Sequence, residues 1–359
     1  MRLSNIISKT LLAVAVFTAA ACTPKDRFVT VSGFAQGGTY AVKYNTKDVR
    51  VRPEEVKTAV DSILSRIDNS VSGYNRNSLL SRFNEGEDIV PDSIFIDLFD
   101  RGYRIYEETQ GIVDVASGPL FDIWGFGFRS GEMPSDETVS KIMEECGMKR
   151  LVPDMRVATE ADGTLNGIGM LRCEKGKFTG TPPLPKLNYN AIAQGYSCDL
   201  VAEYLYSIGV KDMMVDIGEI FCDGHNPSGQ AWTLGIDKPV DGNNELGAQI
   251  QGKFRAPEGP CGIVTSGNYR KFYIRDGKKY AHTIDPRTGR PVSHTLLSAT
   301  IVAADATTAD AYATYCMVIG LEEAQKFLSS RSDLEGCLIY DDNGSFRTWC
   351  SKGFILEEI

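Results

Sequence analysis

Lys271-Phe272-Tyr273-Ile274-Arg275-Asp276-Gly277-Lys278-Lys279-Tyr280-Ala281-His282-Thr283 sets aromatic and β-branched residues on both sides of an Asp-Gly corner, the composition of a tight β-hairpin. Further strands are suggested at Val29–Val31 and Ala41–Tyr44, by Met213 to Cys222, and at Trp232–Ile236, Gly262–Thr265, Ser298–Ala303 and Cys337–Tyr340. Between them lie helical patterns. Pro53 to Ile67 opens with proline and acids and carries Val56, Val60, Ile63, Leu64 and Ile67 on one stripe. Asp92 to Thr109 is a second helix stopped by Gly111, and Ala191 to Ile208 a third ended by Gly209. Antiparallel hairpins beside long helices place the chain in the α+β class.

The hairpin runs into His282-Thr283-Ile284-Asp285-Pro286-Arg287-Thr288-Gly289, a turn with a mechanism. Pro286 fixes φ, Asp285 can bond its own downstream backbone, and Gly289 can take φ > 0. Asp310 and Thr314 follow in an alanine-rich helical segment, Ala306 to Ile319, four residues apart and so on one face. A carboxylate one turn from a neutral oxygen suits Mg²⁺ shared with substrate phosphates. The alternative is that Asp310 solvates or caps a surface helix while Thr314 bonds the carbonyl four residues earlier.

The start of the 359-residue chain reads as a targeting segment. Arg2 and Lys9 precede an apolar run from Leu11 to Ala21, which ends in three alanines before Cys22, the pattern of an exported protein's signal peptide. The run is short for a membrane span. Cleavage before Cys22 resembles lipoprotein processing, although Ala19 stands where a leucine is usual. That gives a leader at 1–21, a lipid-anchored tether at 22–28 and one body at 29–359, held on the periplasmic side of a bacterial membrane. The alternative is ordinary secretion with Cys22 removed or free. A net charge of −9, more negative without the leader, argues against nucleic acid or anionic lipid as a partner. The remaining cysteines (146, 173, 198, 222, 261, 316, 337 and 350) include no C-x-x-C pair, which disfavours zinc or thioredoxin chemistry. Cys198 and Cys316 fall in apolar helical patterns and read as core.

Several motifs in order then resemble the ApbE family of FAD:protein FMN transferases. They are Gln36-Gly37-Gly38-Thr39-Tyr40, Ser72-Gly73-Tyr74, Ser78 to Asn84, Asp114 with Gly118-Pro119-Leu120, Trp124-Gly125-Phe126-Gly127, Asn190-Ala191-Ile192-Ala193-Gln194-Gly195-Tyr196, Val215-Asp216-Ile217-Gly218-Glu219, Thr265-Ser266-Gly267-Asn268-Tyr269 and the two motifs around His282 and Asp310. The resemblance implies a duplicated T-fold-like α+β architecture and transfer of FMN from FAD to a Thr or Ser hydroxyl, with AMP released. It implies Mg²⁺ on Asp310, Thr314 and the Ala191 carbonyl. His282, with Ile284 beside it, is implied to act on the acceptor hydroxyl or contact FAD phosphate, and an imidazole suits general-base work near neutral pH. Its alternative role is a structural donor holding the Asp285 turn. Tyr74 and Gly37 are implied to line the isoalloxazine, Asp114, Val115 and Ala116 the adenine or ribose, and Thr265 and Ser266 the pyrophosphate.

Two departures from the family pattern stand out. Gln194 replaces the lysine of Ile-Ala-Lys-Gly, and Asn188 replaces a frequent aspartate; both positions are implied to face FAD. Gln keeps a donor but loses a charge, for which Arg287 and Lys271 are the candidate replacements. Three function classes follow: an exported FMN transferase acting in trans on a membrane redox subunit that carries Ser/Thr-Gly-Ala-Thr/Ser, a Mg²⁺-dependent FAD pyrophosphatase giving FMN and AMP, and a non-catalytic flavin-binding lipoprotein. Retention of Asp310, Thr314 and His282 favours the first two.

Overall fold

The computed structural model describes residues 28–127, 133–150, 171–174, 177–180, 186–241, 243, 249–269, 272–275 and 277–359. The expected leader, Cys22 with the tether as far as Arg27, Lys271 and the Asp276 corner lie outside these residues.

In chain order the strands are β1 (Phe28–Ala35), β2 (Gly38–Asn45), β3 (Leu171–Glu174), β4 (Lys177–Gly180), β5 (Met213–Asp216) and β6 (Ile220–Asp223). They continue with β7 (Thr233–Asp237), β8 (Ile250–Arg255), β9 (Cys261–Gly267), β10 (Phe272–Arg275), β11 (Lys278–Ala281) and β12 (Ile284–Asp285). The last are β13 (Arg290–Pro291), β14 (Leu296–Ala303), β15 (Glu335–Asp342), β16 (Ser345–Cys350) and β17 (Leu356–Glu358). The α-helices are α1 (Pro53–Val71), α2 (Leu79–Asn84), α3 (Ser93–Glu108), α4 (Gly118–Ile123), α5 (Asp136–Glu145), α6 (Ala193–Ser207), α7 (Ala306–Ile319) and α8 (Leu321–Ser330).

Eight strands form one antiparallel sheet in the order β1-β2-β5-β6-β9-β14-β15-β16. The α+β expectation holds. The β1–β2 hairpin closes through Gln36 and Gly37, both at positive φ (52° and 82°), as a two-residue turn matched to strand twist requires. The stretch from Met213 to Cys222 is strand as expected, in two pieces that meet at an Ile217-Gly218-Glu219 corner, where Gly218 has φ 91°.

Side-chain alternation gives the sheet two different faces. On one, Val42, Val215 and Phe221 pack with α1, α3 and α6, and Val264, Ala299, Ile301 and Leu338 pack with α7 and α8. On the other, Cys222, Cys261, Ile263, Val302, Cys337 and Ile339 lie under Trp232, Leu234, Ile236, Phe254 and Phe354 of the outer three-stranded sheet β17-β8-β7 and its flanks. Cys198 and Cys316 are buried in the core as expected. Among the described residues no helix is long and apolar enough to cross a membrane.

Candidate active site

Two helix starts meet on the helical face of the sheet. A Cβ on Gly195 in α6 would collide with the Ala306 carbonyl, and one on Gly262 in β9 would collide with the Ala306 backbone, so these glycines let the first turn of α7 lie directly against both elements. The contact is reciprocal. Asp310 of α7 accepts the Gly195 N–H at 3.2 Å, one of the orphan donors in the first turn of α6. Asp199 of α6 accepts the Ala306 and Thr307 N–H groups at 2.8 and 2.9 Å and the Thr307 hydroxyl at 2.5 Å, at the start of α7. Asp305 adds a conventional N-cap through Thr308 N–H at 2.8 Å.

Both exchanged carboxylates are buried. Burial pushes Asp199 up to about 6 against the pull of its Thr307 and Ala306 donors. Burial also holds Asp310 well above the usual carboxylate range, with the Gly195 N–H opposing and the Asp199 charge adding to the rise. Asp310 therefore neither caps α7 nor solvates a surface helix. Among the described residues its one protein hydrogen bond is that from Gly195, and it forms no ion pair. Asp199 was missed in the sequence because it lies within an apolar helical pattern and its partners are more than 100 positions away.

The turn after β11 is built as its residues dictate. Asp285 Oδ1 accepts the Arg287 N–H at 2.9 Å, the Asp285 carbonyl accepts from Gly289 at 2.8 Å, and Gly289 has φ 66°. Aromatic rings fix it from the other side. Trp124 donates its indole N–H to the Gly289 carbonyl at 2.6 Å and stacks on Tyr280; Tyr280 stacks on Tyr273, and Tyr273 on Phe126. The Phe126 ring meets His282 edge-on at 6.4 Å between centroids. The Trp-Gly-Phe-Gly motif thus clamps the hairpin and braces the imidazole.

Asp114, Val115, Asn188, Ala191, Ser266, His282, Ile284 and Thr314 line one small cavity of about 90 Å³. Asp114 accepts the N–H groups of Ala116 (2.8 Å) and Met148 (3.0 Å), and burial pushes it up to about 6. Asn188 closes an Asx turn by accepting the Asn190 N–H at 2.9 Å. Asn190 also lines a second, more open cavity with Gln36, Gly37, Tyr74, Ala193 and Gln194, and its amide donates to the Tyr74 hydroxyl at 3.3 Å. Tyr74 is 66% exposed and lines this cavity.

Three expected residues are placed otherwise. Asp310 lies behind the cavity lining, at the helix junction, one turn from Thr314. Ala116 is fully buried and reaches the site only through its N–H to Asp114. Thr265 alternates to the outer face of the sheet, where its hydroxyl bonds that of Thr300 at 2.8 Å, so Ser266 alone of that pair reaches the cavity. Arg287 does not stand in for a lysine at position 194. Its guanidinium is committed to Asp285 at 2.8–3.2 Å, while Gln194 donates to the Ile217 carbonyl at 3.2 Å.

Among the described residues no three His, Cys, Asp or Glu side chains cluster as a metal site. Asp310, Thr314 and the Ala191 carbonyl offer one carboxylate with neutral oxygens, a donor set of the kind that suits Mg²⁺. A buried carboxylate with a single N–H partner fits that use.

The ApbE family model matches residues 37–338, spanning the whole of this arrangement. The chain belongs to the ApbE family. It is 31% identical to the FAD:protein FMN transferase of Escherichia coli K12 over 86% of this chain and 84% of that one. It is 30% identical to the FAD:protein FMN transferase of Vibrio cholerae over 93% and 94%. The solved apo structure of the flavinyl transferase ApbE of Pseudomonas stutzeri superposes with a TM-score of 0.74 at 28% identity, covering 91% of this chain and 95% of that one.

Proposed function

We propose that this chain transfers FMN from FAD to a Thr or Ser hydroxyl of an acceptor protein and releases AMP. The observation that carries the reading is the convergence on one cavity of Thr314, Ala191, Ser266 and His282, with Asp310 behind it, in a chain of this family. Asp310, Thr314 and the Ala191 carbonyl would hold Mg²⁺. When bound, the cation neutralises charge on the pyrophosphate oxygens and on the departing AMP.

The chain's own groups do the rest. Tyr74 and Gly37 receive the isoalloxazine in the open cavity, and Asp114 and Val115 receive the nucleoside in the deeper one. His282, braced edge-on by Phe126, takes the proton as the acceptor oxygen attacks the FMN phosphorus in line. The new P–O bond joins FMN to the acceptor while the bond to the AMP phosphate breaks. Water in place of the acceptor gives FMN and AMP at the same site.

The acceptor is inferred to be a membrane redox subunit bearing Ser/Thr-Gly-Ala-Thr/Ser. The chain itself is inferred to be exported and anchored through lipid on Cys22; the support for this is the sequence at its start. The test is to incubate the detergent-solubilised full chain with FAD and Mg²⁺, with and without a peptide carrying that pattern, following AMP and peptide mass. AMP with a peptide heavier by one FMN supports transfer. Free FMN and AMP with unmodified peptide favours hydrolysis, and FAD binding without AMP sinks both.

A further inference from the structure

The outer face of the sheet carries a pair of cysteines that the transfer reaction does not use. Cys222 on β6 and Cys261 on β9 are direct cross-strand partners, and both are buried. Their sulfurs lie 3.6 Å apart. Directly opposed antiparallel residues have Cα separations of about 4.5–5.5 Å, inside the range a disulfide spans, so a small rotation about each χ1 brings the sulfurs to bonding distance. The neighbouring buried thiol of Cys198 differs: it donates to the Glu219 carbonyl at 3.0 Å.

We infer that Cys222 and Cys261 form a disulfide between adjacent strands of the main sheet, at the base of the loop from which the outer layer's β7 and β8 are built. The two residues are 39 positions apart. Between them the chain leaves the sheet, builds β7 and β8, and returns, so a bond at this place closes the foot of the excursion that covers the outer core. Atoms balance by thiol–disulfide exchange. The two thiols lose two protons and two electrons, one S–S bond forms, and the disulfide of the oxidant is reduced to two thiols. Once folded and reduced, the pair is shielded from an oxidant because both residues are buried beneath the outer layer, and the contact with Cys261 together with burial raises the Cys222 thiol above its ordinary range. The bond therefore forms while the outer layer is still open.

The full chain is unfolded with denaturant and reductant, then refolded in oxidised and reduced glutathione, blocked with an alkylating agent, digested and mapped. The expected result is a peptide pair joined through Cys222 and Cys261 that separates on reduction. An unfolding midpoint about 5 °C higher than in reductant, a difference lost in Cys222→Ala, should accompany it. Recovery of both residues as alkylated thiols from folded protein, or linkage of either to another cysteine, overturns the inference. The map needs no variant, so a poorly folding Cys222→Ala does not blunt it.

Discussion

The two faces of the main sheet are built on opposite principles. The outer face is mainly apolar and sulfur-rich, its Thr265 and Thr300 hydroxyls bonded to each other, and it is closed by Trp232, Phe254 and Phe354. The helical face buries the carboxylates Asp199 and Asp310 where α6 and α7 meet, satisfies them with helix-start N–H groups, and keeps both well above the ordinary carboxylate range. Burying such groups costs stability unless they are fully paired. A fold that needed only a core would repeat the outer face twice. The helical face accepts the cost because a cavity opens beside Thr314 and Ala191.

The sharpest way to break the comparison is Asp310→Asn. The amide keeps an oxygen for Gly195 N–H but loses the charge, so AMP release should fall by at least about 10³-fold, the scale for removing a group that acts on the transition state. The unfolding midpoint should hold or rise, since a disfavoured buried charge is gone. A large loss of stability with activity per folded molecule intact would make the junction structural. Phe354→Ala should do the reverse. Its ring stacks on Phe254 at 4.0 Å between centroids, and truncation should cost about 3–5 kcal/mol in denaturant unfolding while activity per folded molecule stays within about twofold.

Much of this contrast is legible in the sequence, and the failures have physical causes. The helices α1 and α3 show because each has an apolar stripe and a clean start, Asp92 capping α3, whereas α7 at Ala306–Ile319 is buried nearly all round and shows through its alanines. The turn chemistry of Asp285 to Gly289 is local and so readable. Short helices such as α2 and α4, each 6 residues, are too brief to show a period. The reciprocal pairing of Asp199 and Asp310 and the Cys222–Cys261 contact join positions that only the assembled sheet brings together. Thr265 and Ser266 divided between the two faces because strand register, which no motif encodes, decides which of two adjacent hydroxyls meets the cavity.

A medium effect separates the faces by pH. Asp114 in the folded chain has its carboxyl raised from 3.8 to about 6 by burial. Between those values the folded state holds a proton that the unfolded state has lost, so this contribution to stability is present at low pH and disappears as pH rises through about 6. Asp199 acts with the same sign. The wild-type unfolding free energy should thus lose on the order of 2 kcal/mol per such group between about pH 4 and 6.5, and Asp114→Asn should flatten the slope. Urea midpoints across that range check it. A variant slope equal to wild type would mean that Asp114 is ionised throughout, and that its Met148 and Ala116 N–H donors outweigh burial.

The smallest expected effect tests the departure at Gln194. Its amide reaches the Ile217 carbonyl at 3.2 Å on the wall shared with Gly37 and Tyr74, a place from which a lysine keeps the same hydrogen bond and adds a charge. If FAD phosphate passes that wall, Gln194→Lys should lower KM for FAD by about 3–10-fold, as one partly screened charge allows. An unchanged kcat would show that the charge serves ground state and transition state alike, whereas a kcat gain of similar size would place it against the phosphate whose charge grows as AMP leaves. No change in either would mean that the phosphates run along the Ser266 and His282 wall instead. The glutamine would then be a neutral replacement whose amide serves only to hold the Ile217 corner between β5 and β6.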